Sequence, residues 1–378
     1  MVIAAAGAWG CSALLNWSQD GQPCDSQGRC LSGYTCVAGK CQPGTAGPDA
    51  SVPDAGPGPG DAGCASDAGI AQDPRNCGAC GHDCAGGGCA AGRCTPYALA
   101  SASWAFNLGL DRGAVIWDVD DAVAVDGGIF RTAVDGSSQT ALVSGRRARP
   151  LVVLDGGVYW SAPPLGIWRV DAAGGPLLPL ETALSADAFG SDADFLYWSS
   201  VVAPSTTYLY QWALDGGQSA TVVAIDSYPT SGIGTDDTNL YWMNALGHLL
   251  YEPKSQPLTT PHLLLTGVGA MAVTSTQLYY GTLSPADGGV WALGLPLLPD
   301  GGAGPSTLLA ATDFPTSINV DALGLYWTTA SAVVWLAWDG GLPTVLSGRA
   351  SPNQVTSDGQ ALYWTEYSAD GGLYRWMR

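Results

Sequence analysis

From Thr95 onward the chain consists of short apolar runs separated by turns rich in Asp, Gly and Ser. An aromatic pair, usually Tyr-Trp, recurs inside these runs. Its second member falls at Trp117, Trp160, Trp198, Trp242, Tyr280, Trp327 and Trp364, at spacings of 43, 38, 44, 38, 47 and 37 residues. The first copy has Ile116 in place of the Tyr. A shorter run ending in a turn precedes each pair, and the turn residue is Asp at 111, 155, 192, 236, 321 and 358 and Thr at 274. After the pair come a third run, such as Gly166-Ile-Trp-Arg169, and a fourth, such as Thr344-Val-Leu346. Four runs joined by tight turns predict a four-stranded up-and-down sheet.

Copies about 40 residues apart are the signature of propeller blades. The expected fold is therefore all-β: a seven-bladed β-propeller of four-stranded antiparallel blades over 96–378. Apolar residues at consecutive positions fit this fold, because both faces of most blades pack on neighbouring blades. After Tyr363-Trp364 there is chain for only one more run, so the last blade needs a strand from elsewhere. Residues 97–102 supply it, and the expectation is that they pair with 372–377 and cover an exposed sheet edge.

The segments Ala361-Leu-Tyr-Trp-Thr-Glu366 with Gly372-Leu-Tyr-Arg375, Leu325-Tyr-Trp-Thr-Thr329, and Leu209-Tyr-Gln-Trp-Ala-Leu-Asp-Gly216 resemble the YWTD propeller repeat. The family's Asp after Tyr-Trp-Thr is absent from every copy, and that family usually has six blades. The resemblance implies the fold and carries no receptor role.

All 11 cysteines lie before residue 95. Setting Cys11 aside, Cys24, Cys30, Cys36 and Cys41 form one group, and Cys64, Cys77, Cys80, Cys84, Cys89 and Cys94 another. Even groups in Gly-rich stretches read as disulfide modules of an oxidising compartment, with pairing inside each group and connectivity left open. The expected organisation is 1–20, an export or lipobox-like segment; 21–41, the first cysteine module; 42–63, a Pro/Gly/Asp linker; and 64–94, the second module. Ala8-Trp-Gly-Cys11 resembles a bacterial lipobox, which makes Cys11 the lipidation candidate. Residues 30–41 resemble small extracellular repeats of the Dickkopf N-terminal type. Arg outnumbers Lys 12 to 2, the usage of a GC-rich genome. The expectation is an exported bacterial protein, secreted or lipid-anchored at the cell envelope.

The formal net charge is −19, from 33 acidic and 14 basic residues. This balance excludes a nucleic-acid binder, which needs a basic surface. No run reaches the roughly 20 apolar residues of a membrane helix, so membrane contact is expected only through a lipid anchor. No nucleophile elbow or zincin motif occurs, and no catalytic residue or cofactor is assigned. Asp118, Asp120 and Asp121 are the Ca²⁺ candidates, weighed against a solvated hairpin. His82 among Cys77, Cys80 and Cys84 invites a zinc reading, weighed against disulfides. The recurrent turn Asp residues could form a carboxylate ring, but repetition in nearly every copy favours a role inside each turn. The function expected is non-catalytic binding or scaffolding of an unidentified extracellular protein or glycan. A carbohydrate hydrolase or lyase and a passive envelope protein are the alternatives.

Overall fold

A computed structural model describes residues 34–37, 40–43, 70–119, 127–145, 148–162, 166–204, 206–216, 219–283, 288–298, 301–348 and 351–378. The chain divides into two compact units, 1–62 and 63–378. In the first unit, Tyr34–Val37 and Lys40–Pro43 form an antiparallel hairpin that sets Cys36 opposite Cys41. Cys11, Cys24, Cys30 and Cys64 lie outside the described residues.

The second unit carries seven four-stranded antiparallel sheets. Six are built from four consecutive strands and span 105–144, 151–181, 188–226, 230–265, 268–311 and 317–347; these are blades 1 to 6 in chain order. Blade 7 is composite. Pro352–Ser357, Ala361–Glu366 and Gly372–Met377 are completed by Tyr97–Ser101, in the register Gly372↔Ser101 to Arg375↔Tyr97. The ring is thus closed by backbone hydrogen bonds between distant parts of the chain.

The second strand of every blade is the apolar centre. Trp117, Trp160, Trp198, Trp242, Trp327 and Trp364 are fully buried. Each faces an aromatic or aliphatic residue across the second-to-third strand pair, as in Trp198↔Tyr210 and Trp364↔Tyr374, whose rings stack at 5.5 and 5.8 Å. Every third-to-fourth strand pair breaks register immediately before that partner residue, at Ile129/Phe130, Ile167/Trp168, Leu209/Tyr210, Leu249/Leu250, Val290/Trp291, Val333/Val334 and Leu373/Tyr374. A bulge at one repeat position in all blades increases local twist, as an outer strand must when blades splay from an axis. At the axis the blades crowd instead. A Cβ on Gly109, Gly190 or Gly234 would lie 2.6–2.7 Å from Val153, Ile233 or Val273 of the following blade.

The second cysteine module packs on this ring. Cys77 pairs with Cys89 and Cys84 with Cys94, and Cys80 is disulfide-bonded as well. Cys77, Cys84 and Cys94 join a core cluster with Tyr326, Trp364, Tyr374 and Trp376 of blades 6 and 7. The Trp376 indole donates to the Cys94 carbonyl at 2.8 Å. Arg375 reaches the carbonyls of Ala85 and Val134, and its guanidinium lies 5.6 Å from the centre of the Tyr97 ring. No helix among the described residues is long and apolar enough to cross a membrane.

Candidate functional site

The recurrent Asp residues divide into two sets. In blades 3, 4, 6 and 7 one carboxylate oxygen accepts the backbone N–H groups two and three residues on, and the tyrosine five residues on donates its phenol to the carboxylate. Asp192 holds the amides of Asp194 and Phe195 and the Tyr197 hydroxyl at 2.8 Å. Asp236 with Tyr241 and Asp358 with Tyr363 repeat this at 2.7 Å, and Asp321 with Tyr326 repeats it again. Burial first, and the facing carboxylate second, push all four phenols far above their ordinary value. In blade 5 Thr274 Oγ1 takes the Gln277 amide instead, at 3.0 Å. Blade 1 has Ile116 where the phenol would be. In blade 2 the turn is one residue shorter, Asp155 adopts a φ of 47°, and the Tyr159 hydroxyl accepts from Arg169 Nε at 3.1 Å. The carboxylates of Asp192, Asp236, Asp321 and Asp358 thus tie their own turns; the tyrosine of the aromatic pair is the partner that sequence reasoning missed.

Asp118 is also structural. It is fully buried and accepts from the Asn107 backbone N–H at 2.5 Å and from Asn107 Nδ2 at 2.9 Å. Asp120 and Asp121 lie outside the described residues. Cys77, Cys84 and Cys94 present sulfurs within 4.8 Å of one another, and the His82 Nε2 atom lies 3.9 Å from Cys94 Sγ. All three sulfurs are in disulfides, so they are not the thiolates that a zinc site requires.

The other end of the first strands, where each begins, encloses a cavity of 740 Å³ on the propeller axis. One repeat position supplies a wall residue from every blade. Two residues before the one paired with the buried aromatic stand Phe106, Arg149, Asp187, Ser231, Gly269, Thr316 and Asn353. Seven blades thus place seven different residue types at one position, whereas the tryptophan position beside it is nearly invariant. Uniformity serves the fold; a site on the axis of a near-symmetric ring needs such variation.

Arg149 and Asp187 are the charged residues among those lining the cavity, and they stand on neighbouring blades. The Arg149 guanidinium lies 3.7 Å from the centre of the Phe106 ring and 5.4 Å from that of Tyr367, a desolvating and orienting contact for a planar cation. Tyr367 packs in turn on Trp104, centroids 5.0 Å apart. Trp104 is partly exposed and has a φ of 62°. Asp187 is partly exposed and accepts the Val201 N–H through Oδ2 at 3.0 Å. Burial by the surrounding wall raises its carboxyl above the usual range, and the Val201 hydrogen bond only partly offsets this. Beside these, Asn353 Nδ2 and Thr365 Oγ1 donate to the Phe106 carbonyl at 2.8 and 2.6 Å, fixing the seam between blades 7 and 1. Thr230 Oγ1, in the wall and buried, has no partner among the described residues. Sequence reasoning found none of these wall residues. Their signal is the absence of a repeat, at a position that only the strand register reveals.

No protein-family model matches the chain, and no curated protein matches it. Among solved structures it is similar to the WD40 domain of Pan2 from Neurospora crassa, at 7% identity over 74% of this chain and 95% of that one, TM-score 0.52. It is also similar to the extracellular domain of a hybrid two-component system from B. thetaiotaomicron, at 13% identity over 72% of this chain and 38% of that one, TM-score 0.54. At these identities the likeness is one of fold.

Proposed function

We propose that the protein is an exported binding propeller, displayed at the cell envelope, that takes its ligand at the axial cavity and performs no chemistry on it. The observation that carries this is the single variable position through which all seven blades wall the cavity. Its volume lies within the roughly 300–1,000 Å³ of small-ligand sites. The disulfides of the second cysteine module support the extracytoplasmic location, as does the fold shared with an extracellular domain. Glycoside hydrolysis needs two carboxyl groups across the scissile bond; the described cavity wall offers only Asp187.

The test is a comparison of wild type with Ser317→Trp, which fills the cavity from a half-buried wall position. Both are screened against a glycan array and an envelope extract. Binding by wild type and its loss in a normally melting S317W support the reading. Binding that S317W leaves untouched contradicts it, as does turnover of a glycan.

A further inference from the structure

We infer that the axial cavity takes a small primary amine with an apolar body, its ammonium at Asp187 and its hydrocarbon on the deeper wall that begins with Phe189 and Val152. The inference rests on the reading of the cavity as the binding site.

Asp187 lines the cavity and is partly exposed. Its Oδ2 takes the Val201 N–H, and Oδ1 has no partner among the described residues. Burial raises the carboxyl, the Val201 hydrogen bond opposes this, and no cation among the described residues contributes. A carboxylate in that state is matched by a ligand that brings the missing positive charge. The Asp187 N–H donates to the Ser199 carbonyl, so the extended pairing of the strand Ala188–Ser191 reaches back to it. Phe189, two residues on, therefore stands on the same face, about 6.5 Å deeper into the cavity. Phe189 and Val152 of blade 2 pack on one buried cluster with Tyr159 and Trp198, and both line the cavity. The residues level with Phe189 on blades 4, 5 and 6 are Ile233, Met271 and Ile318, which line it too. One step below the variable ring the wall is thus apolar, and a saccharide would set hydroxyls against it. A carboxylate would be repelled by Asp187. Arg149 is the opposing charge in the lining, but its guanidinium is stacked on Phe106 of blade 1 and its Nε and Nη2 are buried. The net charge of −19 draws cations to the protein from a distance. No bond is made or broken on binding.

The experiment is calorimetric titration of the full chain at neutral pH with hexylamine, propylamine, hexan-1-ol and hexanoate. Hexylamine is expected to bind most tightly. The alcohol and the acid should bind about tenfold more weakly or worse, the scale of a charge-assisted hydrogen bond. Each methylene removed on the way to propylamine should weaken binding about fourfold, the scale of burying one CH₂. Asp187→Asn should bring hexylamine down to the level of hexan-1-ol and leave hexan-1-ol unchanged, while S317W should abolish binding of all four; melting curves verify that each variant is folded. Equal binding of the amine and the alcohol overturns the inference, as do equal binding of the two amines, hexylamine binding that Asp187→Asn leaves intact, and absence of amine binding. Failure of the amines, with S317W still abolishing capture of a glycan or envelope ligand, overturns the inference and leaves the cavity as the ligand site. Amine binding that survives S317W, with S317W also capturing envelope partners normally, rejects both.

Discussion

Arg378 of blade 7 donates from Nη2 to Asp321 Oδ2 of blade 6 at 2.6 Å. The same nitrogen also reaches the Tyr326 hydroxyl and Ser357 Oγ. Lys254 of blade 4 repeats the arrangement, meeting Asp192 of blade 3 at 2.7 Å and its own blade's Asp236 carbonyl. Both cations stand four residues after the third-strand residue that faces the buried tryptophan. In blade 6 that position is Trp338, which packs on Tyr279 of blade 5 at 5.8 Å and donates to the Asp321 carbonyl. One repeat position therefore fastens each of these three blades to the blade before it, at the end of the ring opposite the cavity.

Arg378→Ala is expected to lower stability by about 1–3 kcal/mol, the range for a partly buried hydrogen bond to a charged group. In a double-mutant cycle with Asp321→Ala the two losses should fall short of additivity. Urea denaturation of the four proteins measures this; strictly additive losses would mean that the pair does not couple.

Acid should loosen the same fastenings. Burial raises the Asp321 carboxyl, but hydrogen bonds from Ser357, Tyr326 and Arg378 outweigh it and hold the group at about 2, below its ordinary 3.8. Asp192 and Asp236 are also lowered, by hydrogen bonds that outweigh burial. A carboxylate with a depressed folded value contributes stability that is full above the unfolded value and is lost as pH falls through the folded one. Melting temperature should thus drop between about pH 4 and pH 2. Asp321→Asn should flatten that drop, as a pH series of thermal melts would register.

Asp187 carries the opposite sign. Its raised carboxyl means that ionisation favours the unfolded chain, so the cost is present at neutral pH and relieved on acidification. Asp187→Asn is expected to melt no lower than wild type at pH 7, and higher if anything, while losing ligand. A clear fall in melting temperature would recast Asp187 as a structural residue.

Gly190→Ala tests the crowding at the axis. The new Cβ would lie 2.6 Å from Ile233 Cγ2 and 2.9 Å from the Ile233 carbonyl oxygen. The backbone must shift, and a loss of about 1–3 kcal/mol is expected from overpacking. Pairing it with Ile233→Ala removes the Cγ2 contact but leaves the Ile233 Cβ and carbonyl contacts at 2.9 Å, so chemical denaturation should show only partial recovery.

The second cysteine module is part of the same compact unit as the ring. Removing 63–94 would uncover Trp376 and leave Arg375 without the Ala85 carbonyl. A marked fall in melting temperature is expected, together with a rise in binding of an apolar dye. An unchanged melt would show that the docking contributes little.

The propeller was legible because its fold constraints recur. The Tyr-Trp pair, the turn Asp and the count of runs give seven sheets, and the shortage of runs after Trp364 points to the segment around Tyr97 as the missing strand. The disulfide partners were not legible, since even numbers of cysteines leave pairing open until the backbone brings Cys77 to Cys89. Nor was the docking of the second module: only the fold sets Trp376 and Trp335 side by side, 5.4 Å apart, against the cysteine cluster. The turn Asp residues were legible as structural, but their splitting by blade depends on where the phenol five residues on is present. The cavity wall stayed hidden for a different reason. Arg149 and Asp187 sit in connections of unequal length, and bulges in the first strands of blades 1, 4, 5 and 7 shift the register. Their equivalence emerges only from counting back along the paired strands.

Hydrogen exchange, with and without the ligand captured from envelope extract, tests the binding account most directly. If the ligand sits at the axial cavity, amide exchange should slow at residues 230–233, 269–271 and 316–318, where the first strands begin. The turns at Asp192, Asp236 and Asp321, at the opposite end, should be unaffected. Protection confined to those turns or to the outer strands, with the cavity segments unchanged, would contradict the account.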